Sequence, residues 1–509
     1  MLKKIFRLSN LKYAVAFLLP IVVVFLNVQW IDNDSWDVLA EGREIVQNGV
    51  YYTDKLSMHE DLEITVQNYG FAVLFYLVFS VLGASGIYVI MLALCVLVEL
   101  LVYKIVMLIS DKKKNVSLLV MSLTGVSLAL MGFVATRAQM VSFVIFLAAI
   151  YILELFIKSG KVKFLFLLPF LAILQVNLHA SLFWMLILVM FVYIIDSICV
   201  PKLHLQGYRT KPLVLALVGM LLCGLLNPYG FKMVSFIFTS YSNTRFHGMI
   251  NELQPFSPLG SLRNAGFYLS IVFVIFTLIY GKKKNIRVRY LLMFFGFLAL
   301  GLNTVKGLSQ FILTMFLPAA LIFRDIELKK VGLIKAIRVA GFWTGVIVLF
   351  GFVVLCPLIV SRIRNEPIEG LVLAMDVIDR NTLEEERSRL KVYAGYVDGA
   401  YVEYRGYKPY LDPRGEVFLK KNNGKEDILY EWDDLQKGKL DPAEFLEKYQ
   451  FDYFLVSEGD LLYDYLAKDY ETIFADDENG IKVFKRSEQL SILNNVSKLD
   501  KKKDDFWLL

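Results

Sequence analysis

The sequence predicts a polytopic α-helical membrane protein, with about eleven transmembrane helices, a cytoplasmic N-terminus and a C-terminal α/β domain on the extracytoplasmic side. Three observations predict it. The chain is 57% hydrophobic and only 20% charged, whereas soluble domains are about 45–50% apolar. Its apolar residues form long runs up to about residue 360, and the remainder reads as soluble protein. Short basic clusters separate the runs: Lys3, Lys4 and Arg7, then Lys112 to Lys114, Lys158, Lys161 and Lys163, Lys282 to Lys284, and Lys329 with Lys330. Such clusters mark cytoplasmic loops. They also account for the net charge of +6 without a nucleic-acid surface.

A span needs roughly 20 mostly apolar residues. The first, residues 13–30, follows a basic start and meets no small-residue cleavage site, so it reads as a retained helix. Residues 69–109 divide at Gly83-Ala84-Ser85-Gly86. The piece 69–82 is short for a span and fits an interfacial helix on the outer face; 87–109 crosses. Spans at 116–134, 140–157, 164–176, 182–198, 213–226, 267–280, 290–302, 311–323 and 339–360 then alternate and leave the C-terminal domain outside. The domains are therefore residues 1–362 (membrane, with the outer first loop 31–86), 363–490 (soluble α/β) and 491–509 (flexible tail). The cysteines Cys95, Cys199, Cys223 and Cys356 all lie in or beside apolar runs, so the soluble domain has no disulfide.

This threading brings the polar motifs of the membrane half to one outer face, which suggests a single cavity open to the outside. Asp32 and Asp34 follow the first span. Two carboxylates two residues apart suit a general base or a divalent metal; the same spacing also suits a helix cap, since a helical pattern runs from Trp36 to Gln47 and ends at Gly49. Arg137 and Lys306 are solitary outer cations that suit a phosphate through charge, or that snorkel to head groups. Asn177 and His179 lie at a helix end. Asn227, in Asn227-Pro228-Tyr229-Gly230, marks a turn. No histidine, cysteine and aspartate grouping has zinc spacing, and no P-loop, dinucleotide fingerprint or Gly-x-Ser-x-Gly elbow occurs.

In the soluble domain, 390–394, 409–411, 453–457, 472–475 and 481–485 read as strands. Residues 398–404, 442–449 and 461–468 read as helices. Their alternation predicts a small α/β sheet. Tyr410-Leu411-Asp412-Pro413-Arg414 is its most distinctive segment, and an aspartate there most simply caps a turn.

These residues resemble a known group. Asp32-Asn33-Asp34-Ser35-Trp36-Asp37 with Glu41-Gly42-Arg43 and Gly49 looks like the first outer loop of bacterial members of the GT-C glycosyltransferase superfamily. Arg137-Ala138-Gln139, Asn177-Leu178-His179-Ala180-Ser181, Leu226-Asn227-Pro228-Tyr229-Gly230 and Asp412-Pro413-Arg414 also resemble segments of that group, in the same order. The resemblance implies a membrane enzyme transferring a hexosyl or pentosyl group from a polyprenyl-phosphate carrier to a glycan, lipid or protein acceptor on the outer face of a bacterial plasma membrane. It implies Asp32, with Asp34 as the near alternative, as the base, and Arg137 and Lys306 as holders of the carrier phosphate. Asn177, His179 and Asn227 join them as candidate substrate-binding residues. The lipid-linked sugar is then a substrate, and a divalent metal is the only cofactor left open. Where many relatives carry an acid and a tryptophan before the interfacial helix, this chain reads Gln67-Asn68-Tyr69. A glycan polymerase or ligase of similar architecture is the nearest alternative, followed by a transporter or a non-catalytic assembly protein. The missing inverted repeat and the soluble outer domain stand against a transporter.

Overall fold

The computed structural model describes residues 31–110, 133–202, 207–240, 244–255, 286–324, 369–468 and 470–486, with isolated positions between them. The spans expected at 13–30 and 339–360 and the tail 491–509 lie outside the described residues, as do most positions of those expected at 116–134 and 267–280. In chain order, α1 (Asp34–Asn48) is followed by α2 (Tyr69–Ile109), α3 (Gln139–Ser159), α4 (Leu167–Leu178), α5 (Phe183–Lys202), α6 (Thr210–Cys223), α7 (Phe231–Ser240), α8 (Thr244–Met249), α9 (Val288–Asn303), α10 (Val305–Ile312) and α11 (Phe316–Arg324). The C-terminal elements are α12 (Glu369–Arg380), β1 (Lys391–Ala394), α13 (Gly399–Tyr404), β2 (Lys408–Pro409), α14 (Lys420–Asn423), α15 (Ile428–Gln436), α16 (Pro442–Tyr449), β3 (Tyr453–Ser457), α17 (Leu462–Tyr465), β4 (Glu471–Asp476) and β5 (Ile481–Lys485).

The chain forms two compact units. One is helical and contains residues 67–71 and 78–364. Among its described residues, α2, α3 and the stretch Ala180–Cys199 are long and apolar enough to cross a membrane. Val162–Leu178, Thr210–Cys223, Val288–Asn303 and Val305–Leu321 are shorter apolar helices. Large apolar side chains such as Val81, Phe166 and Leu222 remain exposed, as a lipid-facing surface allows. Within α2 the backbone leaves helical geometry at Gly83, with φ 61°, a region glycine enters without steric cost. Helix α2 is therefore two helices meeting at the Gly83-Ala84-Ser85-Gly86 segment where the sequence divides.

One end of the helical unit is tied by a buried ion cluster. Arg289, in the first turn of α9, donates to both Glu154 oxygens on α3 at 2.8 and 3.1 Å and to Asp196 on α5 at 3.1 Å. Tyr193 donates to Glu154 and Tyr208 to Asp196. Every acid in the cluster thus has a charged and a neutral donor, the condition under which charge is tolerated inside a membrane protein.

The second unit joins residues 31–66 and 72–77 to 365–509. This grouping differs from the sequence-based division, which places 31–86 with the membrane domain. The physical reason is polar satisfaction. The first loop's charged and backbone groups find their partners in the C-terminal segment: Arg43 donates to the carbonyls of Tyr404 and Glu403 at 2.8 and 2.9 Å, Met58 N–H to Pro409 O, and Arg414 to Asp54. Arg43 thereby caps α13 at its C-terminal end, where orphan carbonyls favour a cation. Helix α1 also passes close to the start of α2. A Cβ on Gly42 would lie 2.2 Å from the Ala72 carbonyl oxygen, so only glycine permits that approach.

The sheet order is β2-β1-β3-β5-β4, with β2, β1 and β3 parallel and the β4–β5 hairpin antiparallel. The five expected strands all appear; the one read at 409–411 is only Lys408–Pro409. Tyr393, Tyr410, Phe445, Tyr449, Phe451 and Phe454 pack into one aromatic core.

Candidate functional site

The acidic candidates are built on α1, in the second unit. Asp34, Asp37 and Glu41 lie at i, i+3 and i+7, which aligns them on one helix face. Asp32 precedes the helix, and its backbone carbonyl accepts from Ser35 N–H at 2.8 Å. Asp32 and Asp34 are partly exposed, whereas Asp37 and Glu41 are 6% and 4% exposed. Trp36 anchors the helix between the rings of Tyr401 and Tyr404, at 5.1 and 4.7 Å.

Sequence reading missed what lies beneath. Arg414 is buried and holds Asp412 through two contacts of 2.9 and 2.6 Å, Asp54 at 2.9 Å and Glu403 at 2.7 Å. Asp412, read as a turn cap, also accepts from Arg414 N–H, so both roles coincide. Burial alone would raise Asp54, but Arg414 and the bonds from Ser57 hold its carboxyl below the usual range. One guanidinium cannot neutralise three carboxylates. Burial pushes Glu403 well up despite the charge of Arg414. Burial, then the charges of Glu41 and Asp34, push Asp37 up. Burial raises Glu41 to about 8 against the pull of Arg414. Among the described residues no group of three His, Cys, Asp or Glu side chains is arranged to hold a metal ion.

The helical unit gathers the other candidates into one bonded patch. Arg137 pairs with Glu252 at 2.8 Å. Gln254, two residues on, accepts from Val305 N–H, which sets Lys306 beside it, and Gln139 donates to Ser309 on the same turn. The charge of Lys306 reaches His179: burial, then Lys306, lowers that imidazole to about 3. His179 is held on both ring nitrogens, Nδ1 by Ser142 at 2.7 Å and Nε2 by Ser181 at 2.8 Å. Gln175 donates to Ser142 and to the His179 carbonyl. Asn177 accepts from the Tyr69 hydroxyl and donates to the Leu226 carbonyl, beside Asn227. The amide of Asn227 closes its own turn, donating to Gly224 and Gly230 and accepting from Tyr229 N–H. Asn177 and Asn227 thus shape the corner, while Arg137, His179 and Lys306 supply its polarity. A cleft lined by Ser142, Gln175, Gln310 and the apolar Phe143, Phe146 and Met185 adjoins it.

A neutral His179 has a stability consequence. Its ordinary value is 6.5 and its folded value about 3, so between these the unfolded chain binds the extra proton. Stability from this group is full above pH 6.5 and is lost as pH falls through that window. We expect the helical unit to lose roughly 1 to 2 kcal/mol near pH 5, a loss that His179→Gln should abolish; thermal unfolding of both proteins at pH 5 and 7.5 checks it.

No protein-family model matches the sequence, and no curated protein matches it. Among solved structures, the archaeal oligosaccharyltransferase AglB from Archaeoglobus fulgidus, in complex with an inhibitory peptide and a dolichol-phosphate, is similar over 96% of this chain and 75% of its own, with a TM-score of 0.61 and 12% identity. At that identity the likeness concerns the fold. What the comparison shows is that the chain shares the fold of this AglB structure along nearly its whole length.

Proposed function

We propose that this protein is a membrane glycosyltransferase that moves a sugar from a polyprenyl-phosphate carrier to a glycan, lipid or protein acceptor on the outer face of a bacterial plasma membrane. The observation that supports this reading is the fold shared along nearly the whole chain with AglB, an oligosaccharyltransferase solved with a dolichol-phosphate. In the same reading the chain has about eleven spans, with its N-terminus inside and its C-terminal domain outside.

The residues support a simple displacement. Asp32 or Asp34, partly exposed at the start of α1, takes the proton of the acceptor hydroxyl as general base. The acceptor oxygen bonds to the anomeric carbon. The bond from that carbon to the phosphate oxygen breaks, and its electron pair leaves with the phosphate. Within the helical unit, Lys306 and Arg137 are the residues whose charge suits a carrier phosphate, and His179, whose proton affinity burial lowers, adds no competing cation. Because AglB is an oligosaccharyltransferase, transfer of a preassembled oligosaccharide is the second reading.

The test is transfer from radiolabelled polyprenyl-phosphate sugars in membranes containing the protein. Wild type is expected to label an acceptor. Lys306→Ala is expected to raise KM for the carrier about tenfold, the cost of one phosphate contact, with kcat less affected. Absence of transfer from every sugar and oligosaccharide carrier tried would sink the reading.

A further inference from the structure

The carboxyls of Asp37 and Glu41 present a problem that the proposed reaction does not explain. Both side chains are more than nine-tenths buried, and Asp37 Oδ1 has no hydrogen-bond partner. Among the described residues neither is in ion-pair contact with a cation, because the Arg414 guanidinium is taken by Asp412, Asp54 and Glu403 and that of Arg43 by the carbonyls of Tyr404 and Glu403. An isolated buried carboxylate costs several kcal/mol. Two of them one helical turn apart repel each other as well.

The groups that face the pair do not supply the missing charge. Asp34 lies on the same helix face, Tyr51 and Asp54 come from the first loop, and Tyr396, Glu403, Asp412, Arg414 and Glu416 come from the C-terminal segment. Against the single cation Arg414, this set holds Asp34, Asp37, Glu41, Asp54, Glu403, Asp412 and Glu416 as acids. A proton is then the neutraliser that needs no space, no further ligand and no rearrangement of the packed helix.

We propose that Asp37 and Glu41 are positioning residues that act by carrying protons: while protonated they keep α1 seated, and so hold Asp32 and Asp34 in the arrangement used for transfer. This rests on the reading of Asp32 or Asp34 as the base. Loss of the protons places two new charges against Asp412 and Asp54, and α1 can relieve that repulsion only by moving away from the C-terminal segment. A residue that merely packs would make no such demand on pH. The sign follows from the folded state holding the proton more tightly than the unfolded chain. Glu41 has an ordinary value of 4.5 and a folded value of about 8. Stability from this group is present at low pH and is lost as pH rises through that window.

The experiment uses the full-length protein in lipid nanodiscs, with Glu41→Gln and Asp37→Asn as isosteric mimics of the protonated acids. Two readouts are taken from pH 6 to pH 9.5: transfer rate, and thermal unfolding midpoint without substrate. The wild-type rate is expected to fall about tenfold across the alkaline limb, whereas Glu41→Gln stays within about twofold of its neutral rate. The wild-type midpoint is expected to drop over the same range, and that of Glu41→Gln to hold. Asp37→Asn should likewise blunt the alkaline fall. Parallel alkaline limbs in wild type and Glu41→Gln, or parallel midpoints, would overturn the proposal, as would a wild type indifferent to alkaline pH. If wild type transfers no sugar, the glycosyltransferase reading fails by itself, and the midpoints still decide whether the pair holds its protons.

Discussion

Arg414→Met should cost the loop unit about 3–5 kcal/mol, the loss seen when one partner of a buried ion cluster is removed. Three carboxylates, Asp54, Glu403 and Asp412, would remain in a site where all are fully buried. Protonation can rescue them only partly, so the damage should be greater at pH 8 than at pH 5. The consequence extends beyond the C-terminal segment, because Arg414 reaches Asp54 across 360 positions of sequence. With that contact gone, the first loop loses its deepest polar anchor, and α1 loses the ground on which it packs. Thermal unfolding and limited proteolysis of the full-length protein should show cleavage in both 31–66 and the C-terminal segment. A midpoint unchanged within about one degree would mean that the guanidinium does not hold the unit together. Arg414→Lys is no rescue, since a point charge cannot reproduce contacts made by a planar fork to three acids.

Arg289→Leu should be comparably damaging to the helical unit. It strands Glu154 and Asp196 among apolar helices, leaving the Tyr193 and Tyr208 hydroxyls and the backbone N–H of position 289 as donors. The expected loss is again about 3–5 kcal/mol. Adding Glu154→Gln and Asp196→Asn to the same protein removes the stranded charges and should recover most of it. A triple variant as unstable as the single one would show that packing around Arg289, rather than charge, makes the difference.

Much of the architecture is legible from local pattern. Strands β3 and β5 are short apolar and aromatic runs bounded by polar residues, and their extents can be read within a residue. The Gly83 kink follows from a small-residue cluster inside a long apolar run. Helices α12 and α15 escape such reading because each mixes acids into its apolar stripe, and α15 carries no side-chain cap. The pairing of Arg414 with Asp54 and Glu403 is not legible at all. It depends on the chain returning to its own first loop, and no spacing rule encodes a contact between distant segments. Glu154, Asp196 and Arg289 did leave a signal, as lone charges at the ends of apolar runs, where a charge needs a partner. For Arg137 the solitary cation of the sequence has a partner in Glu252, which the fold brings to it from a separate loop. Asp37 and Glu41 are visible as an i, i+4 acidic pair, but ordinary solvated helices carry such pairs, and only burial sets this one apart.

The measurement that bears most directly on the central claim is sugar transfer by wild type and by the double variant Asp32→Asn/Asp34→Asn, at equal protein level and with an unchanged unfolding midpoint. Removing a general base costs about 10²- to 10⁴-fold in rate, and the amides keep the shape of the helix start. A wild type that labels an acceptor, beside a folded double variant at least about a hundredfold slower, is the result predicted. Equal transfer by the two would contradict the account, because no carboxylate at the start of α1 would then be needed to take the acceptor's proton.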